Sequence, residues 1–365
     1  MAWLDEQLRK MVTVGASDLH LSSKVKPMFR INGEMGYVEG LEETTPEKIE
    51  GYLKEITPKM NWDEVHEKWD TDFAYALEGA GRYRVNLFKD HKGMGMVCRL
   101  IPDKILTVEQ LGIPKSVLNF CYLTKGLVVV TGPTGSGKST TLAALINYIN
   151  NNRSEHIITI EDPIEFVHPN IKCLVNQREV RVHTMGFKQA LRAALREDPD
   201  IVLVGEMRDL ETVEIALETA ETGHLVFGTL HTNTAPSTVD RIIDQFPSSR
   251  QPQIRAMLAT SLKGVIAQTL LKKKTKGRVA ALEILVSNFA IAANIREAKT
   301  HQIQSAMQVG VRQGMRLLND SLLDLLKADM VEPLECYMKS VDKIDMLRKF
   351  ETIGIKFEPN SMTDA

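Results

Sequence analysis

The sequence predicts an α/β protein: a mainly parallel sheet covered by helices, preceded by a smaller α+β domain. Three observations lead there. The chain has 365 residues, which at roughly 150 residues per domain suggests about two domains. From about Lys115 onward, short apolar runs alternate with helical periods, as expected for strands buried on both faces by crossover helices. One run, Leu127-Val128-Val129-Val130, leads straight into a glycine-rich loop and then a helical period. With 43% apolar and 25% charged residues, the composition is that of a globular protein able to build a sizeable core.

Residues 1–100 read as the smaller domain. Leu4, Leu8, Met11 and Val12 share one side of an amphipathic helix, and Ser17 to Leu21 alternates with period two, as a strand does. Met28-Phe29-Arg30-Ile31 followed by Asn32-Gly33 is a hairpin signal, because Asn-Gly tolerates the positive φ of a tight turn. In Arg82-Tyr83-Arg84-Val85-Asn86-Leu87-Phe88, Tyr83, Val85 and Leu87 face one side and Arg82, Arg84 and Asn86 the other. Residues 101–114, with two prolines, read as a linker.

The larger domain is expected over 115–350. Leu127–Val130, Ile157–Ile160, Ile201–Val204 and Leu225–Phe227 are its candidate buried strands. A helix is expected from near Thr140, a second through Phe187, Ala190, Leu191, Ala194 and Leu195, and a third between a cap at Asp209 and a stop at Gly223. Beyond about residue 255 the pattern reads as mostly helical, and 351–365 as a loose tail. The basic run Lys272–Arg278 reads as a solvated turn.

Charge and cysteine content narrow the function. Forty-five basic against 47 acidic side chains leave a net charge of -2, which argues against a nucleic-acid partner. No run approaches the roughly 18 apolar residues of a membrane helix, and the N-terminus lacks the pattern of a signal peptide. Cys98, Cys121, Cys173 and Cys336 form no CxxC pair. Free thiols in a cytoplasmic protein are expected, without zinc or a disulfide framework.

Gly132-Pro133-Thr134-Gly135-Ser136-Gly137-Lys138-Ser139 matches G-x-x-x-x-G-K-[ST] between a strand and a helix that includes Thr140. Its glycines let backbone N–H groups approach phosphate oxygens, and the helix N-terminus favours the anion. Lys138 would reach the β- and γ-phosphates and Ser139 would hold Mg²⁺, so ATP and Mg²⁺ are the expected ligands. Hydrolysis needs acids at neighbouring strand ends, where open α/β sheets bind ligands. Ile201–Val204 runs into Gly205-Glu206, and Ile157–Ile160 into Glu161-Asp162-Pro163-Ile164-Glu165. One carboxylate there can deprotonate the attacking water, and another can hold the metal through its water shell. His224 and His231 flank a further strand about 23 Å long at roughly 3.3 Å per residue, so both cannot touch one phosphate. His231 lies at the carboxyl end and could sense the γ-phosphate.

TGPTGSGKST, ITIEDPIE, DPDIVLVGEMRD and GHLVFGTLHTN, in that order, resemble the secretion and pilus motor ATPases of the GspE/PilB/PilT superfamily. GASDLHL, RYRVNLF and THQIQSAMQVG resemble its type IV pilus retraction branch, and the likeness runs from about Gly15 to Lys349. The resemblance implies a RecA-like P-loop NTPase core with a PAS-like N-terminal domain, assembled as a homohexameric ring with ATP between domains. It implies Glu161 as catalytic glutamate, Glu206 as the acid near Mg²⁺, His224 and His231 as the family's histidine motif, and Arg84 and Arg99 as arginines approaching the phosphates. It also implies a peripheral position on the inner membrane, an inner-membrane pilus platform protein as partner, and a paralogous retraction ATPase as a second. From the chain's length and its unpaired cysteines, the extension ATPases' long N-terminal region and four-cysteine zinc insert are not expected. Pro133, Ser136 and Met207-Arg208-Asp209 resemble the retraction branch more than the accessory PilU-type branch. The family's AIRNLIRE segment, however, stands as Ala290-Ile291-Ala292-Ala293-Asn294-Ile295-Arg296-Glu297, with Ala292 and Ala293 replacing an arginine and an asparagine. An accessory pilus ATPase, a RecA-like nucleic-acid translocase and a non-hydrolysing nucleotide-binding scaffold are the alternatives.

Overall fold

The computed structural model describes residues 2–31, 33–101 and 104–358. The chain divides into one unit of Met1–Lys104 with Pro163–Val167, and another of Ile105–Asp162 with His168–Ala365.

In the first unit, α1 (Trp3–Thr13), β1 (Asp18–Ser22), β2 (Met28–Ile31), β3 (Glu34–Tyr37), α2 (Pro46–Ile56), α3 (Lys59–Lys68), β4 (Asp70–Leu77), β5 (Gly81–Asp90) and β6 (Gly93–Ile101) follow in order. The strands form an antiparallel sheet ordered β3-β2-β1-β6-β5-β4. Tyr83, Val85 and Leu87 are fully buried against Leu4, Leu8 and Met11, so the period-two reading of β5 places its apolar side correctly. Val12, expected on the buried side of α1, lies in the helix's last turn and is 39% exposed, while Met11 beside it is fully buried. Ile31 faces Glu34 across the expected hairpin; Asn32 lies outside the described residues.

The second unit continues with α4 (Lys115–Leu118), β7 (Gly126–Thr131), α5 (Lys138–Asn152), β8 (His156–Glu161), β9 (Leu174–Glu179), α6 (Phe187–Ala194), β10 (Ile201–Val204), α7 (Leu210–Glu221), β11 (Leu225–Leu230), α8 (Ala235–Asp244) and α9 (Gln251–Ser261). After them come β12 (Leu262–Lys272), β13 (Arg278–Val286), α10 (Phe289–Arg296), α11 (Ile303–Val309), α12 (Leu318–Lys327), α13 (Pro333–Lys339) and α14 (Lys343–Thr352). The sheet runs β13-β12-β7-β11-β10-β8-β9, parallel throughout except for β13.

The apolar runs are explained by burial on two faces. Leu127 and Val129 join one core cluster, with Ile158, Ile160, Val202 and Val226. Val128 and Val130 join another, with Ile157, Leu203 and Phe227. Alternate side chains of each strand therefore feed opposite cores, and no polar face remains to interrupt the run.

Several expectations are corrected. The region after residue 255 contains the β12–β13 hairpin, not helix alone. Its Val265, Ile266, Leu270, Leu282 and Leu285 fall at spacings that also fit a helix, and only pairing with β7 settles the matter. The basic run is the turn of this hairpin, with Lys272 facing Arg278. The phosphate-loop helix starts at Lys138 rather than near Thr140, because Gly137 is its cap. Ile101 ends β6, and Val108, Leu111 and Ile113 pack on the sheet, so most of 101–114 is not a free connector. Glu351 and Thr352 complete α14, and Ile353, Ile355 and Phe357 pack on the C-terminal helical cluster; residues 359–365 lie outside the described residues. Cys98, Cys121, Cys173 and Cys336 are free and buried. Among the described residues no helix is long and apolar enough to cross a membrane.

Candidate active site

The loop from Gly132 to Gly137 joins β7 to α5, and β12 lies directly against it. Gly132 has φ +147° and Gly137 φ +88°, where side chains are strained. A Cβ on Gly132 would also come within 2.2 Å of Gln268 O, and one on Gly137 within 2.9 Å of Gln268 Nε2. Gln268, 4% exposed, donates from Nε2 to Ser136 O at 2.6 Å and accepts from Thr141 Oγ1 at 2.7 Å. It clamps the loop to the first turn of α5. Ser136 Oγ is buried with no hydrogen-bond partner among the described residues. Thr134 and Gly135 are exposed, Ser139 and Thr140 half-buried in the first turn of α5. A loop of this shape, glycine-lined and ending on a helix N-terminus, fits a phosphate group.

Three predicted side chains meet at the carboxyl edge of the sheet. Lys138 Nζ donates to Gly132 O at 2.8 Å and Pro133 O at 3.2 Å, and lies 3.5 Å from His231 Nδ1. His231 Nε2 lies 2.9 Å from Glu206 Oε1. An ammonium group can only donate, so Nδ1 accepts and Nε2 carries the proton toward Glu206. The same oxygen of Glu206 takes an ion pair from Arg208 Nε. This hydrogen-bonded contact raises the Arg208 pKa against a smaller opposing effect of burial. Arg208 and Gln268 are members of the site that the motif reading did not identify.

Glu161 ends β8, beside the exit of β10. Gly205 N donates to Ile160 O at 2.8 Å, and a Cβ on Gly205 would lie 3.0 Å from that oxygen. Glu161 Oε1 accepts from Thr159 Oγ1 at 2.6 Å and from Gln177 Nε2 at 3.1 Å. His224 sits at the opposite end of β11 from His231. Its Nδ1 lies 3.1 Å from Thr219 O at the end of α7 and 3.4 Å from Thr222 Oγ1. That is a helix-end contact, away from the carboxyl edge.

Arg84 and Arg99 belong to the first unit, where they face each other across β5 and β6. Arg84 Nε lies 3.7 Å from Asp72 Oδ1, and Arg99 Nε 2.7 Å from Asp18 Oδ1. Burial pushes the Asp18 carboxyl up, but hydrogen bonds from Ser17 and Arg99 outweigh it and leave the pKa below the usual value.

A phosphate-fitting loop on an interior parallel strand, with carboxylates and a histidine at the neighbouring carboxyl ends, defines a P-loop protein of the RecA-like class. The family described as Type II/IV secretion system protein matches residues 1–318, and the chain belongs to it. It is 50% identical over 317 residues to the type IV pilus retraction ATPase PilT of Pseudomonas aeruginosa, covering 87% of this chain and 92% of that one. Identity to the type IV pilus ATPase PilU of the same organism is 39% over 325 residues, covering 88% and 84%. The crystal structure of the pilus retraction motor PilT with bound ADP matches with a TM-score of 0.88 at 44% identity, covering 94% of this chain and 99% of that one.

Proposed function

We propose that this chain is the ATP-hydrolysing motor of type IV pilus retraction, and so of twitching motility. The observation that carries the reading is the convergence of Lys138, His231 and Glu206 at the sheet edge where Glu161 ends β8. Higher identity to PilT than to PilU supports retraction over an accessory role.

In this reading the loop amides and Lys138 bind the phosphates. Glu161 orients a water and takes its proton as the water oxygen bonds to the γ-phosphorus. The bond from that phosphorus to the β–γ bridging oxygen breaks, giving ADP and phosphate, and the proton passes to solvent. His231, held by Glu206, meets the γ-phosphate. Ser139 and Glu206 offer the all-oxygen donors that Mg²⁺ takes, Glu206 through water; the bound ion would neutralise phosphate charge.

A homohexameric ring, with Arg84 and Arg99 of the PAS-like N-terminal domain approaching the nucleotide, completes the proposal. The ring would work in the cytoplasm, peripheral to the inner membrane, on a pilus platform protein and alongside a paralogous retraction ATPase. Lys138→Ala should weaken nucleotide binding, while Glu161→Gln should still bind ATP yet hydrolyse it about 10²–10⁴-fold more slowly. Phosphate release and nucleotide titration test this, and an unchanged rate for Glu161→Gln would remove Glu161 as the base.

One observation favours the accessory reading. Ile291 and Ile295 are fully buried, while Ala292 and Ala293 are half-buried and Arg296 is exposed. At the half-buried positions 292 and 293, α10 thus lacks the arginine and asparagine of the family's segment, with one cation fewer over the segment as a whole. Ala292→Arg with Ala293→Asn should then improve twitching in a strain lacking its own retraction ATPases, without raising turnover. Equal motility from both versions would end that reading.

A further inference from the structure

We propose that Gln177 is a positioning residue that holds the Glu161 carboxylate in its hydrolytic orientation. This rests on the reading of Glu161 as the base. In the parallel β8–β9 pair, Thr159 lies opposite Gln177 and Glu161 opposite Glu179. Residues two apart on a strand share a face, so Thr159, Glu161 and Gln177 lie on one side of the sheet.

The orientation of the Gln177 amide follows from its partners. Its Oε1 accepts from His168 N at 2.7 Å. A backbone N–H can only donate, so the oxygen must face His168. The amide nitrogen is thereby turned to Glu161 Oε1, 3.1 Å away. Thr159, fully buried, donates to the same oxygen at 2.6 Å.

A carboxylate's terminal torsion is otherwise broad and roughly twofold. Two donors from adjoining strands on one oxygen narrow it. Since both donors sit on strands rather than loops, the orientation is built into the sheet before substrate arrives. A general base acts only when its oxygen lies within hydrogen-bond reach of the proton it removes, and small misplacements cost large factors in rate. A glutamine serves here where a glutamate would not: the carboxylate could keep the His168 bond but would set like charge against Glu161.

The test uses the full-length protein and two substitutions. Gln177→Glu keeps the acceptor for His168 and removes the donor, whereas Gln177→Leu removes both. Each should lower kcat about tenfold or more, with KM for ATP and the Kd for ADP within about twofold. In the Glu161→Gln background, measured by single-turnover hydrolysis of labelled ATP, either change should cost nothing further. Full kcat in both single variants would overturn the proposal, and so would an equal loss with and without Glu161, which marks a purely structural role. Glu161→Gln at the native rate would instead remove the base itself, a different failure that Glu161→Gln alone reveals. Should Gln177→Leu fold poorly, Gln177→Glu decides the matter.

Discussion

Two glutamates of the second unit occupy opposite environments. At the sheet edge, the Glu206 side chain is 19% exposed and shares one oxygen between His231 and Arg208, both side chains. On β13, Glu283 is 5% exposed, and its oxygens accept from Ala235 N at 2.7 Å and Leu318 N at 3.2 Å. Those amides open α8 and α12, so one carboxylate joins two helix N-termini. Side-chain partners can rotate away when a ligand arrives, whereas backbone amides cannot leave without moving a helix. Glu206 is therefore placed where partners exchange, and Glu283 where elements are joined. Burial raises the Glu283 pKa above its ordinary 4.5, although the two amides pull the other way.

The largest expected effect is on stability. Glu283→Ala leaves two buried amides unpaired, costing about 1–3 kcal/mol each. Urea denaturation should show this loss, while kcat per folded molecule stays near native. A large fall in kcat with native stability would break the comparison, since Glu283 would then belong to the chemistry.

Glu206→Gln should do the reverse. Turnover should fall by roughly 10²-fold or more, in the range of a lost electrostatic contact at an active site. The denaturation midpoint should stay within about 1 kcal/mol of native. Phosphate release and urea denaturation on the same preparation separate the two outcomes.

Gln268→Leu removes two buried hydrogen bonds beneath the phosphate loop, each contributing about 0.5–1.5 kcal/mol. Nucleotide affinity should drop about tenfold, read by titration with ADP. Native affinity would show that the loop keeps its shape without β12.

A pH series sharpens the Glu283 side of the comparison. A carboxyl whose folded pKa is raised contributes stability fully below its unfolded pKa and loses it as pH rises through the folded value. Glu283→Gln cannot ionise, so the stability gap between native protein and variant should narrow as pH rises above the ordinary carboxyl value of 4.5. Denaturant midpoints over that rise check the sign, and a widening gap would refute it. The smallest effect is expected on α10. Ala292→Arg should change stability by only about 0.2 kcal/mol, and a loss above about 1 kcal/mol would show that the half-buried Ala292 is packed too tightly for Arg.

Legibility from sequence followed the range of the interaction. Asp209 was readable as a cap because its partner, Thr212 N at 2.8 Å, is three residues away. Tyr83, Val85 and Leu87 were readable because alternation is local to one strand. β9 is not legible in the sequence: as the strand at the sheet's edge it exposes Leu174 and Asn176 and shows little apolar alternation. Gln177 is hidden with it. Gln268 was hidden for a second reason, since its partner Ser136 lies 132 positions away in the chain.

By itself the sequence determined the phosphate loop, the four apolar strands around it and the residues at their carboxyl ends. These depend on short-range rules: glycine at positive φ, a cap before a helix, apolar side chains on both faces of a buried strand. Only the tertiary structure decided that β12 and β13 extend the sheet, that Gln268 supports the loop, and that His231 turns its protonated nitrogen to Glu206. It also decided that Gln177 faces Glu161 with its amide nitrogen. Each of these is a choice of partner between distant segments. A glutamine or glutamate offers the same atoms wherever it stands, and the packed sheet decides which atoms they meet.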